Sequence, residues 1–529
     1  MLFTSYSFIF FLIILILLYY LVPKRMQWKL LLLGSFVFYY FSGWSNLVYI
    51  SVTIVSTYFA GLKIDELNRR QSAYLKENRE KLTKDEKKLY KEKTKAKQWK
   101  WLLACLIFNL GILAVVKYTN FAIANINSIL SIFRMTELSF VNIILPMGIS
   151  FYTFKTMGYI IDVYRGKYEP ERNIGKLALF VSFFPQLIQG PISRYDDLSQ
   201  TLYQEHSFDP KTFSYGFERV LWGYFKKLVI ADRIVAAVLT ITKNPDTYDG
   251  VYVFVGMVFY AIQLYADFTG GIDITIGIAQ MLGIEVAENF IRPFFSKSIA
   301  EYWRRWHITM GTWFRDYIFY PLSVCKPMLN LSKFSRKHLG ENIGKRVPVY
   351  VSTLVVWFAT GIWHGSSWNF IVWGLLNGVI ILISQELEPL YSKFHEKVKI
   401  GDTFGFRLFQ VVRTFLLMSS LRILDCYRDV GISFRMFFSM FTRPNFRVLF
   451  DGSLLKFGLN VHDYIVLALG VILMISFSLV QRRGSVREML SHKPVVLRYS
   501  VYIALFFTVL VFGAYGIGFD SNQFIYNQF

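Results

Sequence analysis

The run of residues 347–383 contains no Asp, Glu, Lys or Arg, and this feature most limits how the chain can fold. About 20 apolar residues are enough to cross the hydrocarbon core of a bilayer. The run is longer than one crossing needs, so we expect two helices with a break at 361–367. His364 lies at that break. Because a titratable side chain at membrane depth costs free energy unless it faces a cavity or a partner, His364 is a candidate functional residue.

Composition places the whole chain in a membrane. Of its 529 residues, 54% are hydrophobic and 18% are aromatic, and the apolar residues recur in long runs, which predicts an all-α, polytopic integral membrane protein. The formal net charge of +22 does not indicate nucleic acid, because the basic residues cluster in loops and no nucleic-acid motif is present. Basic loops are typical of the cytoplasmic side, where membrane lipid supplies anionic headgroups.

The apolar runs predict a series of crossings and one long charged loop. That loop, 63–100, carries fourteen Lys/Arg against seven Asp/Glu, so we expect a cytoplasmic helical hairpin and an N-terminus outside. Residues 177–194 contain Pro185, Gly190 and Pro191 within an apolar stretch, which predicts a broken or re-entrant helix. The predicted crossings are 7–22, 30–41, 47–62, 101–116, 141–161, 251–282, 347–360, 369–383, 408–424, 464–480 and 501–517.

The cysteines and histidines predict neither a disulfide framework nor a metal site. Cys105, Cys325 and Cys426 are widely spaced and form no Cys-x-x-Cys pair. No two histidines have the spacing of metal ligands. We therefore expect no metal and no other tightly bound cofactor.

A second polar cluster lies upstream of His364, within residues 287–322. One interpretation is a membrane-interface belt of Trp with Arg side chains that extend to water. However, an Arg-Arg pair between two Trp, then His, then Arg-Asp, is more polar than an anchor requires. Arginine forks match phosphate oxygens and aromatic faces stack on adenine, which predicts a phosphate-bearing donor such as coenzyme A. The candidate residues are Trp303, Arg304, Arg305, Trp306, His307, Arg315 and Asp316.

Several motifs carry a resemblance to one known family. They are LPMGISFYTF, FFPQLIQGPI, YADFTGGIDITIG, NF-x-RPF from Asn289, YWRRWHIT, WFRDYIFYPL, GIWHGSSWNF and the terminal FGAYGIGFDSNQFIYNQF. On these motifs the chain resembles the membrane-bound O-acyltransferase (MBOAT) family, in particular its bacterial alginate O-acetyltransferase-like branch. The resemblance implies a single MBOAT-type transmembrane domain over 1–529. It also implies broken helices around a central tunnel and additional C-terminal helices in 405–529.

The same resemblance implies a function. It is the transfer of an acetyl group from cytoplasmic acetyl-CoA, a substrate rather than a bound cofactor, to an extracytoplasmic polysaccharide. His364 of the Trp-His-Gly motif is implied as the catalytic residue, with His307 as its companion. The resemblance further implies a multi-pass protein of the bacterial cytoplasmic membrane that works with an extracytoplasmic, SGNH/esterase-like partner protein.

The chemistry of the residues leads to compatible roles. An alcohol attacks a thioester slowly unless a base takes its proton, and His has the side-chain pKa nearest neutral pH. We therefore assign His364 as general base, with the thiolate of coenzyme A as leaving group. The oxyanion needs hydrogen-bond donors. Candidate donors are the side chains of Trp363, Ser366, Trp368 and Asn369, and backbone N–H groups that lose their helical partners at the breaks near Gly361 and Gly365.

Two alternatives remain open. One is the D-alanyl transfer branch of the same family, which loads teichoic acid from a carrier protein. The other is a non-catalytic polysaccharide exporter, in which Asp267 and Asp273, inside an apolar run, would serve a proton-coupled pump. The absence of an internal sequence repeat disfavours the exporter.

Overall fold

The computed structural model describes residues 2–398 and 403–515. Regular structure in these residues is helical, apart from one isolated bridge between Phe290 and Trp306. Seven of the described helices are long and apolar enough to cross a membrane. The prediction of an all-α, multi-pass membrane protein is therefore confirmed. Residues 516–529, which contain most of the terminal motif and the end of the predicted crossing 501–517, lie outside the described residues.

One compact unit consists of Met1–Phe213 and Ala279–Val286. A capping box begins its longest helix, because the Thr83 side chain accepts a hydrogen bond from the Glu86 N–H (3.2 Å) and the Glu86 carboxylate accepts one from the Thr83 N–H (2.9 Å). The charged segment 63–100 is thus a helical hairpin. The helices are α1 Tyr6–Leu21, α2 Gln27–Tyr40, α3 Trp44–Glu77, α4 Lys84–Ile132, α5 Ile149–Arg165, α6 Ile174–Ser182, α7 Pro185–Gln189 and α8 Tyr195–Leu202.

The broken helix predicted at 177–194 is confirmed as α6 and α7. Pro185 begins α7, and the residues of both short helices near the break are buried. The last carbonyl groups of a helix have no partner within it. Here Nζ of Lys155 donates to the carbonyl of Phe180 (2.6 Å) and to the side-chain oxygen of Gln186 (2.8 Å). The buried lysine therefore links the two helices across the break.

The prediction for the crossing 141–161 is wrong at its start, because α5 begins only at Ile149. Gly148 adopts a left-handed conformation (φ +71°), and a Cβ atom there would lie 2.5 Å from the carbonyl oxygen of Leu187. The chain thus passes against the backbone of α7 before the helix starts. The predicted crossing 101–116 is also too short, since α4 continues in both directions.

The second compact unit consists of Ser214–Ile278 and Ala287–Phe529. Helix α9, which begins just before this unit, continues into a π-helical segment, Phe225–Ala231, and two C-terminal helices pack on that segment. The helices are α9 Pro210–Tyr224, α10 Asp232–Lys243, α11 Val251–Met281, α12 Ile299–Arg305, α13 Ile308–Phe314, α14 Tyr320–Ser323, α15 Lys326–Gly344, α16 Val347–His364, α17 Trp368–Glu386, α18 Glu388–Val398, α19 Phe404–Leu421, α20 Ile423–Tyr427, α21 Val430–Thr442, α22 Val461–Val480, α23 Val486–Ser491 and α24 Val495–Phe512.

The two carboxylates within the apolar run of α11 form ion pairs with the π-helical segment. Nζ of Lys227 lies 2.6 Å from Oδ1 of Asp267. Nζ of Lys226 lies 2.6 Å from Oδ2 of Asp273, and Arg219 lies 2.8 Å from Oδ1 of the same carboxylate. All five side chains are largely buried. Asp267 and Asp273 therefore act as counter-ions for buried cations, a structural role that accounts for their presence in an apolar run.

Candidate active site

His364 is the last residue of α16, and residues 365–367 connect it to α17. The predicted break, with the histidine at it, is therefore confirmed, although α16 runs one turn beyond its predicted end at 360. A Cβ atom on Gly361 would lie 2.5 Å from the carbonyl oxygen of Phe370. The glycine thus lets the backbones of α16 and α17 approach closely, as small residues do between membrane helices.

The imidazole of His364 lies among indole rings. Its side chain is buried, and its ring centroid is 4.7 Å from that of Trp373, in an edge-to-face arrangement, and 5.1 Å from that of Trp363. Trp303 packs on Trp373 at 5.9 Å. Such an environment excludes water, so hydrogen bonds and charges near His364 act more strongly than they would in solvent.

His307 lies at the junction of α12 and α13 in a left-handed backbone conformation (φ +48°), which is uncommon for a residue other than glycine. The preceding loop holds it there. The N–H of Ile308 donates to the carbonyl of Asn289 (3.0 Å), and the N–H of Ile291 donates to the carbonyl of Arg305 (3.0 Å). The motifs NF-x-RPF and YWRRWHIT therefore form one local structure.

The side chain of Asn289 fixes the tautomer of His307. Its Oδ1 accepts hydrogen bonds from the N–H (3.0 Å) and the hydroxyl (2.9 Å) of Thr309, which identifies this atom as the acceptor of the amide. Nδ1 of His307 lies 3.3 Å from the same oxygen and must therefore carry a proton. The lone pair is then on Nε2. Burial, and secondly the charge of Arg422, lower the pKa of His307 to about 3, so the ring is neutral at physiological pH.

Trp363 contacts both histidines. Its ring centroid lies 5.8 Å from that of His307 and 5.1 Å from that of His364. Phe268 closes the other side of His307 at 4.9 Å. The structure therefore brings together two histidines that are far apart in the sequence.

Arg422 and Asp425 are buried next to these aromatic rings and were missed in the sequence analysis. Nη1 of Arg422 donates to Oδ2 of Asp425 (2.7 Å), and only 7% and 3% of these two side chains are exposed. The guanidinium lies over Trp373 at 4.6 Å and over Trp306 at 5.4 Å. A signal was available, because Arg422 lies inside the predicted crossing 408–424, where a charge requires a reason.

The remaining predicted residues are distributed unevenly. Asn369 is buried and donates to the carbonyl of Leu424 (3.2 Å), and Ser366 is half-buried. Arg304 and Trp368 are exposed. The other charged candidates form local ion pairs, which are Arg305 with Glu301 (2.6 Å) and Arg315 with Asp316 (2.9 Å). The structure thus buries the two histidines, Trp306, Trp363 and Asn369 and leaves Trp303 half-buried, while the arginines lie nearer the surface.

Comparison with known proteins identifies the family. A "Probable alginate O-acetylase AlgI" from Azotobacter vinelandii is 34% identical over 392 residues, which are 73% of this chain and 69% of the relative. The chain belongs to the membrane-bound O-acyltransferase family. The profile of that family matches residues 171–423 of this acyltransferase, a range that contains both histidines and Arg422.

Other relatives of this membrane-bound O-acyltransferase are named for peptidoglycan and for teichoic acid. A peptidoglycan O-acetyltransferase from Helicobacter pylori is 29% identical over 391 residues, 69% of this chain and 66% of the relative. A teichoic acid D-alanyltransferase from Bacillus subtilis is 27% identical over 261 residues, 48% of this chain and 62% of the relative. The family assignment makes the chain an enzyme, so the exporter hypothesis is wrong.

Proposed function

We propose that this acyltransferase moves an acetyl group from cytoplasmic acetyl-CoA to a hydroxyl group of an extracytoplasmic polysaccharide, with His364 as general base. The observation that carries the proposal is the placement of His364 at the end of α16, buried between Trp363 and Trp373. The second histidine lies against the same Trp363. The similarity to an alginate O-acetylase over most of the chain supports acetyl as the group transferred.

The reaction balances without an external reagent. The imidazole of His364 takes the proton of the acceptor hydroxyl as its oxygen forms a bond to the thioester carbonyl carbon. The tetrahedral intermediate then expels the thiolate as the C–S bond breaks. The imidazolium returns its proton to the thiolate, so the enzyme is regenerated and the products are an O-acetyl ester and free coenzyme A.

Indole N–H groups are the proposed donors to the developing oxyanion. Nε1 of Trp303 and Nε1 of Trp373 are buried and have no hydrogen-bond partner among the described residues. A buried donor without a partner costs about 1–3 kcal/mol, and a substrate oxygen would offset this cost. Of the donors proposed from sequence, Asn369 already donates to a backbone carbonyl and Trp368 is exposed, so the two indoles are the better candidates.

The proposal includes an orientation and a partner. The N-terminus is outside and the turn between α3 and α4 is cytoplasmic, so the donor enters from the side that carries the basic hairpin. Arg304, Arg305 and Arg315 are proposed to attract the donor phosphates, because they lie nearer the surface than the histidines. An extracytoplasmic, SGNH/esterase-like protein is proposed to complete delivery to the polysaccharide. The membrane is proposed to be the bacterial cytoplasmic membrane.

The test uses the full chain in proteoliposomes supplied with labelled acetyl-CoA. His364→Gln should reduce release of free thiol at least about 100-fold, the usual contribution of a general base. His338→Gln is the matched control, since His338 is exposed on α15, and it should keep full activity. Full thiol release by the His364→Gln protein would overturn the proposal.

A second measurement addresses the D-alanyl alternative. Acetyl-CoA and a D-alanyl carrier protein are offered separately to the same proteoliposomes. We expect release of free thiol from acetyl-CoA only. Consumption of the carrier-bound D-alanyl group with no use of acetyl-CoA would instead support the D-alanyl branch.

A further inference from the structure

A cavity of about 650 Å³ lies among α9, α11, α22 and α24, away from the two histidines. One part of its wall is apolar and is formed chiefly by Trp222, Leu473, Phe477 and Leu505. The other part is charged, and its charged residues are Glu218, Arg219, Lys226, Asp273, Glu288, Arg292 and Arg487. We call it the Arg292 cavity. Its apolar wall and its charged wall together are typical of a site that binds an amphiphile.

Two carboxylates of the charged wall are already neutralised. Asp273 pairs with Lys226 (2.6 Å) and with Arg219 (2.8 Å). Glu288 pairs with Arg219 through two hydrogen bonds of 2.6 Å. By contrast, Arg292 forms no ion pair with any residue that the structure describes. The charge that remains available at this end of the cavity is therefore positive.

Further cations surround Arg292. Nη1 of Arg305 donates to the carbonyl of Arg292 (3.4 Å), and Gln481, the residue before Arg482, lines the cavity. Burial, together with the charges of Arg305 and Arg482, lowers the pKa of Arg292. Arg482 follows α22 and, within the described part of the chain, has no ion-pair partner of its own. Glu301 already pairs with Arg305 (2.6 Å). The remaining like charges of Arg292 and Arg482 cost free energy unless an anion neutralises them. A phosphate group is the anion that arginine forks match best.

The apolar wall faces the bilayer. Helix α24 contributes Val501, Leu505 and Thr508, and none of the residues of α24 is buried inside the protein. Along α22 and the residue that follows it, the wall extends from Leu473 to Gln481, which corresponds to roughly 12 Å of helix. A hydrocarbon chain can therefore lie between two lipid-facing helices and end at the basic residues that follow α22.

We propose that the Arg292 cavity binds an anionic phospholipid, with its phosphate at Arg292 and one acyl chain between α22 and α24. The site is distinct from the acetyl-transfer centre but next to it. Phe290, which lines the cavity, packs on Trp306 at 5.1 Å. Bound lipid would thus support the loop that carries Asn289, the residue that orients His307.

The test uses the full chain in vesicles of phosphatidylcholine that contain a photoactivatable phosphatidylglycerol with its reactive group in one acyl chain. After irradiation, mass spectrometry locates the labelled peptides. We expect labelling at 473–481 and 501–508 that is roughly tenfold stronger than with the corresponding phosphatidylcholine probe, because each basic residue favours anionic lipid. Equal labelling by the two probes would overturn the proposal.

Matched variants test the binding of the lipid headgroup and the binding of the acyl chain separately. Arg292→Gln should reduce labelling to the phosphatidylcholine level, whereas Arg483→Gln, which changes a basic residue outside the cavity wall, should not. Leu505→Trp fills the apolar part and should also remove the label. Its control, Ile503→Trp, changes an exposed position of the same helix. Unchanged labelling in both test variants would contradict the proposal.

A competition experiment distinguishes the source of the phosphate. Excess acetyl-CoA should leave the labelling by phosphatidylglycerol unchanged. Loss of the label in its presence would overturn the lipid assignment and identify the cavity as a site for the soluble donor. The readout does not depend on acetyl transfer, so it fails or succeeds separately from the proposed function.

Discussion

The ion pair between Arg422 and Asp425 gives the sharpest prediction about the site. Its two charged groups are 2.7 Å apart and their side chains are 7% and 3% exposed. At an effective dielectric constant of about 20, unit charges about 4 Å apart attract by about 4 kcal/mol. Arg422→Gln leaves the carboxylate of Asp425 buried without its partner. Asp425→Asn leaves the guanidinium of Arg422 buried without its partner. Each single variant should lose about 3–5 kcal/mol of unfolding free energy.

The double variant should behave differently, because it buries no charge. Gln and Asn side chains at these positions can still hydrogen-bond to each other, so we expect a loss of only about 1–2 kcal/mol. The sum of the two single losses would be about 6–10 kcal/mol. The double-mutant cycle should therefore yield a coupling free energy well above the 0.5 kcal/mol that separates interacting from independent sites.

The assay is unfolding of the purified protein by sodium dodecyl sulfate in mixed micelles, followed by far-UV circular dichroism. The exposed pair Arg346–Glu386 provides a control cycle. Its coupling should stay within about 1 kcal/mol, as is typical of surface ion pairs. The reasoning is refuted if the Arg422–Asp425 cycle is additive, or if each single variant loses less than about 1 kcal/mol.

Three further predictions concern His307, the packing of α16 on α17, and the proposed oxyanion donor Trp373. In Asn289→Asp, a carboxylate beside Nδ1 should raise the pKa of His307 from about 3. The acid limb of the pH–rate profile should therefore move to higher pH, and a profile that superimposes on that of the unmodified protein would contradict this. Gly361→Ala should destabilise the protein, because its Cβ atom would lie 2.5 Å from a backbone oxygen. The control Gly111→Ala, with no neighbour within 4 Å, should stabilise it by about 0.5–1 kcal/mol. Equal effects of the two variants in thermal unfolding would contradict the close packing of α16 on α17. Trp373→Phe removes one proposed oxyanion donor and should lower kcat about 100-fold with little change in KM; a rise in KM alone would assign the ring to substrate binding.

Much of the site was predictable because it depends on short stretches of sequence. His364 was found as a polar residue in a run without charges, and the glycines around it predicted the break that α16 and α17 show. The broken helix at 177–194 was found in the same way, from prolines within an apolar stretch. In these cases local composition and helix length are sufficient, because the bilayer sets both.

Other features were not predictable, because they depend on residues that are distant in the sequence. The start of α5 is decided by the contact of Gly148 with α7. Lys226 and Lys227 could not be paired with Asp273 and Asp267 from sequence, since the pairing depends on how α9 and its π-helical continuation lie against α11. The arginines at 304, 305 and 315 looked like one group in the sequence but point to separate local partners or to solvent.

The sequence by itself determined that this chain crosses a membrane several times, which family it belongs to, and that one histidine lies within an apolar run. These follow from hydropathy and from motifs that are continuous in the chain. Only the tertiary structure decided that Trp363 joins the two histidines, that Asn289 sets the tautomer of one of them, and that Arg422 and Asp425 lie beside the same indole rings. The physical reason is that burial and pairing of charges depend on which helices pack together, and the packing of side chains across distant segments is not encoded in any single stretch.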